Sequence, residues 1–413
     1  MKKTARNFVL KILNSLARRR VFPSSKIVGI TGSVGKTTTK DAVAKILESQ
    51  FAVLASAKSL NSEFGVPLTL LGEKSGFANP VAWTAILLRA FFKSFSKISA
   101  EKIVLELGVD APGDFDRLLA LVRPTIGVFL NVAPVHIAPG QFENLSAIAA
   151  EKRKLIENLP EDGVAILSAD DEFSRTTKTA ARKIFFGFGE NADLRASEIS
   201  ENLDGISARI FWENESAEIK IPILGRQNFP SILAALAVGL ASGISLEKGI
   251  SALADFRLPP GRFNLLAGIR GSKILDGSYN SNPKSLSAGL ATFAKLPAAR
   301  RIFVGGQMNE LGADSPRLHR EIAEKISADL VVGVFGDSKI FTDAARAKNI
   351  PAEFFPTAEL AGEFLRNEIR AGDLIFLKGS QNKVRLERAV AAILADPADE
   401  KFLCRREKEW REI

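Results

Sequence analysis

Short apolar runs alternate with helical stretches through the first 260 residues. An apolar run over Lys26–Ile30 is followed by a glycine loop and then by a helical stretch, Lys36–Ser49, with an apolar face. Three later runs each end at a polar residue that would lie at the carboxyl edge of a parallel sheet, where ligands bind in doubly wound α/β folds. These runs are Ile103–Leu105 before Glu106, Ile126–Leu130 before Asn131, and Val164–Leu167 before Ser168.

The pattern changes after residue 193 and then restarts. Alternation over Ile206–Trp212 and Glu218–Ile223 predicts a small antiparallel excursion, and Phe229–Gly243 is Ala-rich and predicts a helix. Leu258–Gly261 reads Leu-Pro-Pro-Gly, which is typical of a linker. Four further apolar runs predict a second α/β domain: Ile274–Leu275, Ile302–Val304, Leu330–Phe335 and Leu374–Leu377.

The predicted fold class is therefore α/β. We expect a central phosphate-loop domain with a doubly wound, mostly parallel sheet, followed by a Rossmann-like α/β domain. The predicted boundaries are a basic amphipathic helix at 1–24, a central domain at 25–258, a C-terminal domain at 259–395, and a charged, solvated tail at 396–413.

The first twenty residues are basic and amphipathic. Their apolar side chains recur at helical spacing and their basic side chains lie mostly off that face. Two interpretations stay open: peripheral contact of residues 1–20 with an anionic membrane, or a helix docked on the next domain. The stretch Val81–Phe92 contains Arg89 and is too short for a membrane span, so we expect a buried helix there.

Charge and cysteine content narrow the function classes. The net charge is +9, but residues 1–40 hold ten basic and no acidic side chains, and the rest of the chain holds 46 basic and 47 acidic ones. A nucleic-acid-binding surface spread over the fold is therefore not expected. The single cysteine, Cys404, allows no disulfide and no cysteine-based zinc site, and it fits a cytoplasmic protein.

The segment that follows the first strand predicts a nucleotide site. Glycines let backbone N–H groups wrap a phosphate, and a helix that begins near Lys36 points its positive end at the same anion. Lys36 would reach the β- and γ-phosphates and Thr37 would hold Mg²⁺. Ile30 stands where the usual pattern has its first glycine, and Gly32 can supply the turn instead. The candidate loop residues are Thr31, Gly32, Ser33, Val34, Gly35, Lys36, Thr37 and Thr38.

Three further residues are candidates for the chemistry. Glu106 ends a strand near this loop, where a carboxylate oxygen suits Mg²⁺, and a strand-end acid in a salt bridge is the less favoured alternative. By themselves, His136 reads as a structural loop histidine and Lys152, in the predicted helix Ser146–Asn158, as solvated surface.

Taken together, these residues resemble the Mur ligases, ATP-dependent amide ligases of cell-wall precursor synthesis. Residues 31–38 look like the ATP loop of that family, and Glu106-Leu107-Gly108 looks like its Mg²⁺ segment. The resemblance implies ATP and two Mg²⁺ ions, with Thr37 and Glu106 on one ion and His136 and a carboxylated Lys152 on the other. It also implies catalytic roles for Lys36, His136 and Lys152.

Other segments resemble the D-Ala-D-Ala-adding type of this family. They include Asn61 with residues 65–71, residues 276–283, residues 306–312 with His319, and residues 378–380. The resemblance implies a UDP-muramyl peptide and D-Ala-D-Ala as substrates of a monomeric enzyme. The implied nucleotide contacts are Asn228, Arg262 and Asp276; the implied substrate contacts are Asn61, Tyr279, Asn280, Asn282 and Lys378.

The sequence also departs from the family pattern. Gln227, Ser231 and Gly277 replace a histidine, an asparagine and an aspartate, and only about 25 residues precede the ATP loop. The separate N-terminal domain that binds a UDP-sugar in this type is therefore expected to be missing. Three alternatives stay open: another short ligase of the poly-γ-glutamate or lipid II amidating type, a folylpolyglutamate synthase, or a non-catalytic nucleotide-binding scaffold.

Overall fold

The computed structural model describes residues 3–21, 26–56, 60–77, 79–134, 141–406 and 410. The chain forms two compact units. Unit 1 comprises Met1–Ile199, Ala208–Ile219 and Phe229–Phe256. Unit 2 comprises Ser200–Ser207, Lys220–Asn228 and Arg257–Ile413.

The first sheet has nine strands in the order β2-β3-β1-β4-β5-β6-β7-β8-β9. All pairs from β2 to β7 are parallel. The strands are β1 (Lys26–Thr31), β2 (Val53–Ala55), β3 (Lys102–Glu106), β4 (Ile126–Phe129), β5 (Val164–Ser168), β6 (Arg182–Gly187), β7 (Leu194–Asn202), β8 (Gly205–Trp212) and β9 (Glu215–Ile221).

The helices before residue 257 connect or cover these strands. Because β1, β3, β4 and β5 are parallel, the residues that follow them meet at one edge of the sheet. The helices are α1 (Lys3–Arg20), α2 (Lys36–Glu48), α3 (Gly65–Leu71), α4 (Pro80–Lys93), α5 (Asp114–Leu121), α6 (Leu145–Glu157), α7 (Glu172–Arg175), α8 (Phe229–Ala241) and α9 (Leu246–Ala252).

Unit 2 is built on a six-stranded sheet in the order β10-β11-β15-β12-β13-β14, antiparallel only between β10 and β11. The strands are β10 (Asn264–Ala267), β11 (Lys273–Asp276), β12 (Arg300–Gly306), β13 (Leu330–Val334), β14 (Ala352–Phe355) and β15 (Asp373–Lys378). The helices are α10 (Pro283–Lys295), α11 (Ser315–Ala323), α12 (Lys339–Ala347), α13 (Ala358–Glu368) and α14 (Glu387–Ala392). The predicted α/β class is confirmed.

Buried side chains lie on both faces of the unit 2 sheet. Ile302 and Ile375 belong to one core cluster, whereas their chain neighbours Phe303 and Phe376 belong to another. Successive side chains of a strand point to opposite faces, so a sheet covered on both sides needs continuous apolar runs rather than alternation. This explains why the runs found in the sequence are uninterrupted.

Helix α1 docks on unit 1 through its apolar side. Leu13 and Ala17 are fully buried in the same core cluster as residues of α3 and α4. The Arg20 guanidinium donates to the carbonyl of Leu70 (3.0 Å), and the Lys97 ammonium donates to the carbonyl of Arg19 (2.6 Å). The described side chains from Leu13 to Ala17 therefore fit the docked alternative, because their apolar face is occupied by the core, whereas Phe8 nearer the start of the helix is 65% exposed.

Helix α4 is present as predicted, but the prediction that it is buried was wrong. Ile86 and Ala90 pack into the core, whereas the side chains of Val81 and Phe92 are 77% and 65% exposed. The apolar residues of α4 lie on all sides of the helix. The hydrophobic pattern alone therefore could not show that only one of its faces packs against the core. Among the described residues, no helix is both long and apolar enough to cross a membrane.

The described part of the predicted tail after residue 395 is only partly solvated. A 3-10 helix over Pro397–Phe402 leads to Leu403 and Cys404, which are both buried. Arg405 is buried as well and pairs with the carboxylate of Glu387 (Nη1–Oε2, 3.2 Å). The charges that suggested a solvated tail serve in part to neutralise this buried acid.

Substitution of Glu387 by glutamine is expected to destabilise unit 2 by roughly 3–5 kcal/mol. Glu387 is fully buried and also accepts from Arg385 (Nε–Oε1, 2.7 Å), so the variant leaves two buried guanidinium groups without a counter-ion. The measurement is urea denaturation followed by circular dichroism. Glu359→Gln is the control: it removes a partly exposed pair with Arg388 and should cost about 1 kcal/mol or less. Equal losses in both variants would contradict this assignment.

Candidate nucleotide site

A glycine-containing loop joins β1 to α2 at the carboxyl edge of the first sheet. β1 ends at Thr31, and α2 begins at Lys36 directly after Gly35. Gly35 has φ of 90°, and a Cβ at this position would lie 3.0 Å from the Ser231 hydroxyl. At Gly32 a Cβ would lie 2.9 Å from the Cβ of Leu130. Both positions therefore require glycine, and the loop presents backbone to whatever binds there.

Asn131, at the end of β4, fixes the loop. Its side-chain oxygen accepts from the Val34 N–H (3.0 Å) and its side-chain nitrogen donates to the Val34 carbonyl (3.0 Å). Its own carbonyl accepts from the Ser33 N–H (2.9 Å). The sequence marked Asn131 only as the polar residue that follows an apolar run, and its role in holding the loop emerges from the tertiary structure.

Lys36 and Thr37 open the helix that follows the loop. The Lys36 ammonium donates to the carbonyl of Gly32 (2.8 Å), which keeps this charge over the loop. The hydroxyl of Thr37 donates to the Glu106 carboxylate (Oγ1–Oε2, 2.9 Å). The other carboxylate oxygen accepts from the Asn61 amide (Nδ2–Oε1, 2.8 Å). Thr37, Glu106 and Asn61, distant in sequence, thus form one hydrogen-bonded row.

The row is held in a mostly buried setting. Glu106 is 2% exposed, and its N–H donates to the hydroxyl of Ser56 (3.3 Å). Thr31 and Thr38 are buried, and the Thr31 hydroxyl has no hydrogen-bond partner among the described residues. Electrostatic attraction to a cation or phosphate is stronger in such a water-poor place than at an open surface.

Lys152 lies on α6 and is 1% exposed, so its interpretation from sequence as solvated surface was wrong. Burial, and then the nearby Lys36 charge, lower the pKa of Lys152 to about 7, against an opposing effect of Asp110 and Glu151. Much of this amine is therefore neutral near neutral pH, which is the form that reacts with an electrophile.

Two residues at this site were missed or undervalued by sequence reasoning. Ser231 on α8 is buried, and its hydroxyl donates to the carbonyl of Gly35 (3.4 Å). Ser231 drew attention only as a departure from the family pattern. Asp110 was not singled out at all, and its position four residues after β3 gives no clear signal.

A second group of predicted residues lies in unit 2. Asp276, at the end of β11, is fully buried, and burial raises the pKa of its carboxyl. One of its oxygens accepts from the Ser278 N–H (3.0 Å), and the other has no hydrogen-bond partner among the described residues. The buried Lys378 ammonium donates to the carbonyl of Asn280 (2.9 Å), and burial lowers the pKa of Lys378 to about 7.

Arg262 and Tyr279 form a stacked pair in unit 2. The guanidinium carbon of Arg262 lies 3.9 Å from the centroid of the Tyr279 ring. The guanidinium of Arg405 also approaches this ring, at 5.2 Å, and donates to the Tyr279 carbonyl. Two cations therefore lie close to this ring, and their contacts restrict its orientation.

Three other predicted positions have local structural partners. The Asn282 side chain caps α10 by accepting from the Ser285 N–H (2.9 Å). The Asn228 side chain donates to the carbonyl of Leu224 (2.8 Å). His319 is fully buried and accepts from the Met308 N–H (Nε2, 3.1 Å). Each of these contacts fixes the backbone near the predicted site.

His136 lies outside the described residues. Within the described part of the chain, no group of three or more His, Cys, Asp or Glu side chains is arranged to hold a metal ion. A divalent cation at the loop would therefore depend on the Thr37 hydroxyl, the Glu106 carboxylate and oxygens brought by a nucleotide.

A glycine loop at a strand end, a lysine over it and a helix N-terminus directed at it define a phosphate-loop nucleotide-binding protein. The family profile of the Mur ligase middle domain matches residues 30–239, and that of the Mur ligase glutamate ligase domain matches residues 261–381. The first match alone covers just over half of the chain. This chain belongs to the Mur ligase family, as its motifs had indicated.

Relatives and solved structures agree with this membership. The UDP-N-acetylmuramoyl-tripeptide–D-alanyl-D-alanine ligase of Mycobacterium leprae is 31% identical, over 90% of this chain and 74% of that protein. The ligase of the same name from Bacillus subtilis is 27% identical, over 90% of this chain and 77% of that protein. The crystal structure of MurF from Acinetobacter baumannii matches with a TM-score of 0.75 and 26% identity, over 94% of this chain and 80% of that one.

Proposed function

We propose that this chain is an ATP-dependent ligase that joins D-Ala-D-Ala to a UDP-MurNAc-tripeptide through an acyl phosphate. The hydrogen-bonded row of Thr37, Glu106 and Asn61 beside the glycine loop carries this proposal. The glycine loop would bind the phosphates, and the Glu106 carboxylate beside it suits Mg²⁺. Transfer of a phosphoryl group to a substrate carboxylate requires both. The two substrates in this proposal are taken from the names of the related ligases.

The residues at the loop fit one Mg²⁺ ion. The hydroxyl of Thr37 and the carboxylate of Glu106 lie within hydrogen-bond distance of each other, so both are hard oxygen ligands directed to one place. When bound, the cation would neutralise charge on the transferring phosphoryl group. Asn61 orients the carboxylate, and Lys36 would bind the phosphates, with its charge already held at the loop.

We further propose that Lys152 is carboxylated by CO₂ and, with His136, serves a second Mg²⁺ ion. The neutral amine attacks the carbon of CO₂, a C–N bond forms, and one proton leaves to solvent. Its pKa of about 7 and its burial support this step, because the attacking form is abundant and water is excluded. The product carries a negative charge where the lysine carried a positive one.

In unit 2 we propose that Arg262 and Asp276 contact the nucleotide together with Asn228, and that Tyr279, Asn280, Asn282 and Lys378 position the peptide substrates. The buried Asp276 oxygen without a partner supports a role in accepting a ligand hydrogen bond. The amine and the acyl phosphate must be held at close range to react. Residues that position the substrates therefore have large effects on the rate.

Product analysis tests this proposal. The protein is incubated with ATP, Mg²⁺, UDP-MurNAc-tripeptide and D-Ala-D-Ala, with phosphate release measured and products identified by mass spectrometry. A UDP-MurNAc-pentapeptide that forms only in the presence of all three substrates is the expected result. If phosphate is released only with a lipid-linked muropeptide or with glutamate, the proposed substrates are wrong and the chain is one of the alternative ligases. Nucleotide binding without turnover on any acceptor would favour the scaffold.

Glu106→Gln is expected to weaken Mg²⁺ dependence with little effect on folding. The amide keeps the shape of the side chain and can still accept from Thr37, but it loses the negative charge. We expect the Mg²⁺ concentration for half-maximal phosphate release to rise by at least about tenfold. Glu73→Gln, at a buried carboxylate that pairs with Arg89 and Lys93, is the control and should leave that concentration near the wild-type value. An unchanged Mg²⁺ requirement in the first variant would exclude Glu106 as a ligand.

The proposal includes a monomeric protein of the cytoplasm. Cys404 is buried, and burial raises the pKa of its thiol to about 12, so it is protected from forming an intermolecular disulfide. Size-exclusion chromatography with light scattering measures the mass directly, and a dimer mass would reject the monomer.

A further inference from the structure

Helix α4 and the residues beside it expose an apolar stripe. Nine large apolar side chains are exposed among the described residues, and six of them lie between positions 77 and 95. We call these six the α4 apolar surface: Phe77, Val81, Leu88, Phe91, Phe92 and Phe95. Exposed apolar side chains scattered singly are ordinary, whereas this concentration on one element indicates an interaction surface.

The geometry of α4 keeps this surface exposed. Val81, Leu88 and Phe92 recur at spacings of seven and four residues and therefore share one side of the helix, and Phe95 follows shortly after the helix ends at Lys93. Ile86, on the other side, packs into the core of unit 1. Phe91 contacts Phe95 edge to face, with 5.1 Å between ring centroids, so the aromatic side chains pack on one another while remaining exposed. The stripe is thus a formed surface rather than an incompletely packed core.

The two chain segments at this surface carry charges of one sign along the sequence. No acidic residue occurs from position 74 to 100, nor from 1 to 40, while both segments carry several basic ones. The acid that precedes the first segment, Glu73, has a buried carboxylate bonded to Arg89 and Lys93. With Glu73 included, this segment therefore holds one acid and four basic residues, and two of the four pair with that acid.

Helix α1 adds its own cations beside this surface. The carbonyl of Arg19 accepts from the Lys97 ammonium (2.6 Å), and the Arg20 guanidinium donates to the carbonyl of Ser96 (3.2 Å). The basic C-terminal turn of α1 therefore lies next to Phe95. Lys11 on α1 is also exposed.

We propose that the α4 apolar surface docks on an anionic phospholipid membrane. Exposed phenylalanine and leucine side chains enter the boundary between headgroups and acyl chains, and lysine and arginine beside them bind headgroup phosphates. A second copy of this chain is a poor occupant, because two such surfaces would bring cations against cations. The inference stands on α1 and α4 and is independent of the proposed ligase activity.

This assignment differs from insertion of the first helix. Leu13 and Ala17 of α1 are packed in the core of unit 1, so α1 contributes mainly charge, with Phe8 as its one large exposed apolar side chain among the described residues. The apolar contact comes from α4, which the length of its apolar stretch had led us to expect as a buried helix. No described helix could span a bilayer, so the contact would be peripheral.

Vesicle flotation of the full chain tests the proposal. The protein is floated with phosphatidylglycerol-containing vesicles and with phosphatidylcholine vesicles, at low and at high salt. We expect binding only to the anionic vesicles and weaker binding at high salt. The double variant Phe92→Ser/Phe95→Ser should lower the bound fraction by at least about tenfold. The charge variant Lys11→Glu/Arg19→Glu should also lower it.

A matched control separates this surface from general hydrophobicity. Leu360→Ser removes another exposed apolar side chain (44% exposed) and should leave flotation unchanged. Retained phosphate release from ATP would show that the surface variants are folded. Flotation of the Phe92→Ser/Phe95→Ser variant at the wild-type level would overturn the proposal. So would a wild-type dimer that this variant dissociates, because the surface would then be occupied by a second copy.

Discussion

Lys36→Ala is expected to reduce phosphate release from ATP by about 10²–10³-fold, the loss typical when one preorganised charge or donor is removed from a transition state. The Lys36 ammonium is already held over the glycine loop by its hydrogen bond to the Gly32 carbonyl (2.8 Å). Its charge is therefore in place before a nucleotide arrives, and little reorganisation accompanies binding. The measurement is phosphate release with saturating substrates.

The control for this variant lies on the same helix. Lys45, in the last turn of α2, pairs with the exposed carboxylate of Asp255 (2.8 Å), so Lys45→Ala should change turnover by less than about twofold. Circular dichroism of both variants checks that α2 is intact. A fall in phosphate release of only a few-fold in Lys36→Ala would show that this lysine does not contact the transferring group.

Replacing Lys152 is expected to have opposite effects on activity and on stability. Lys152→Ala should lose at least about 100-fold in phosphate release, because the proposed metal ligand disappears. Small carboxylic acids such as acetate should restore part of the activity by occupying the space vacated by the side chain. Acetate should not rescue Lys36→Ala. A Lys152→Ala enzyme with wild-type turnover would remove this residue from the mechanism.

The stability effect follows from the lowered pKa. Folding moves the pKa of Lys152 from its usual value near 10.5 to about 7, so the folded state binds fewer protons between these two values. The free energy of unfolding therefore rises as pH increases through this window. Below pH 7 the folded state carries the full energetic penalty of burying a charged lysine. Since one pKa unit corresponds to 1.36 kcal/mol, the penalty is roughly 4–5 kcal/mol.

Lys152→Met removes this penalty while retaining most of the side-chain volume. In CO₂-free buffer at pH 6, we expect it to unfold at higher urea concentration than the wild type, and the advantage should shrink towards pH 10. Lys378 also has a pKa lowered to about 7 and contributes pH dependence to both proteins, so the difference between them is the relevant quantity. If the difference in stability between the two proteins does not change with pH, burial does not lower the pKa of Lys152.

The sequence by itself determined the sheet, the loop and the family. Apolar runs of strand length predicted β1, β3, β4 and β5 to within one or two residues, because a strand buried on both faces must be apolar throughout. The glycines and lysine of the loop were recognisable because phosphate binding restricts which residues are possible at each position. Charged residues gave weaker guidance, as the buried pair of Glu387 and Arg405 shows.

Only the tertiary structure decided which side chains meet. The row of Thr37, Glu106 and Asn61 joins three separate elements, and hydrophobic periodicity is silent on contacts between them. The same holds for Asn131, whose amide bonds the loop backbone. Burial of Lys152 and exposure of Phe92 were both misjudged, because a residue's own type and spacing do not show what packs over it. Neighbouring elements supply that cover, and their arrangement is a property of the whole fold.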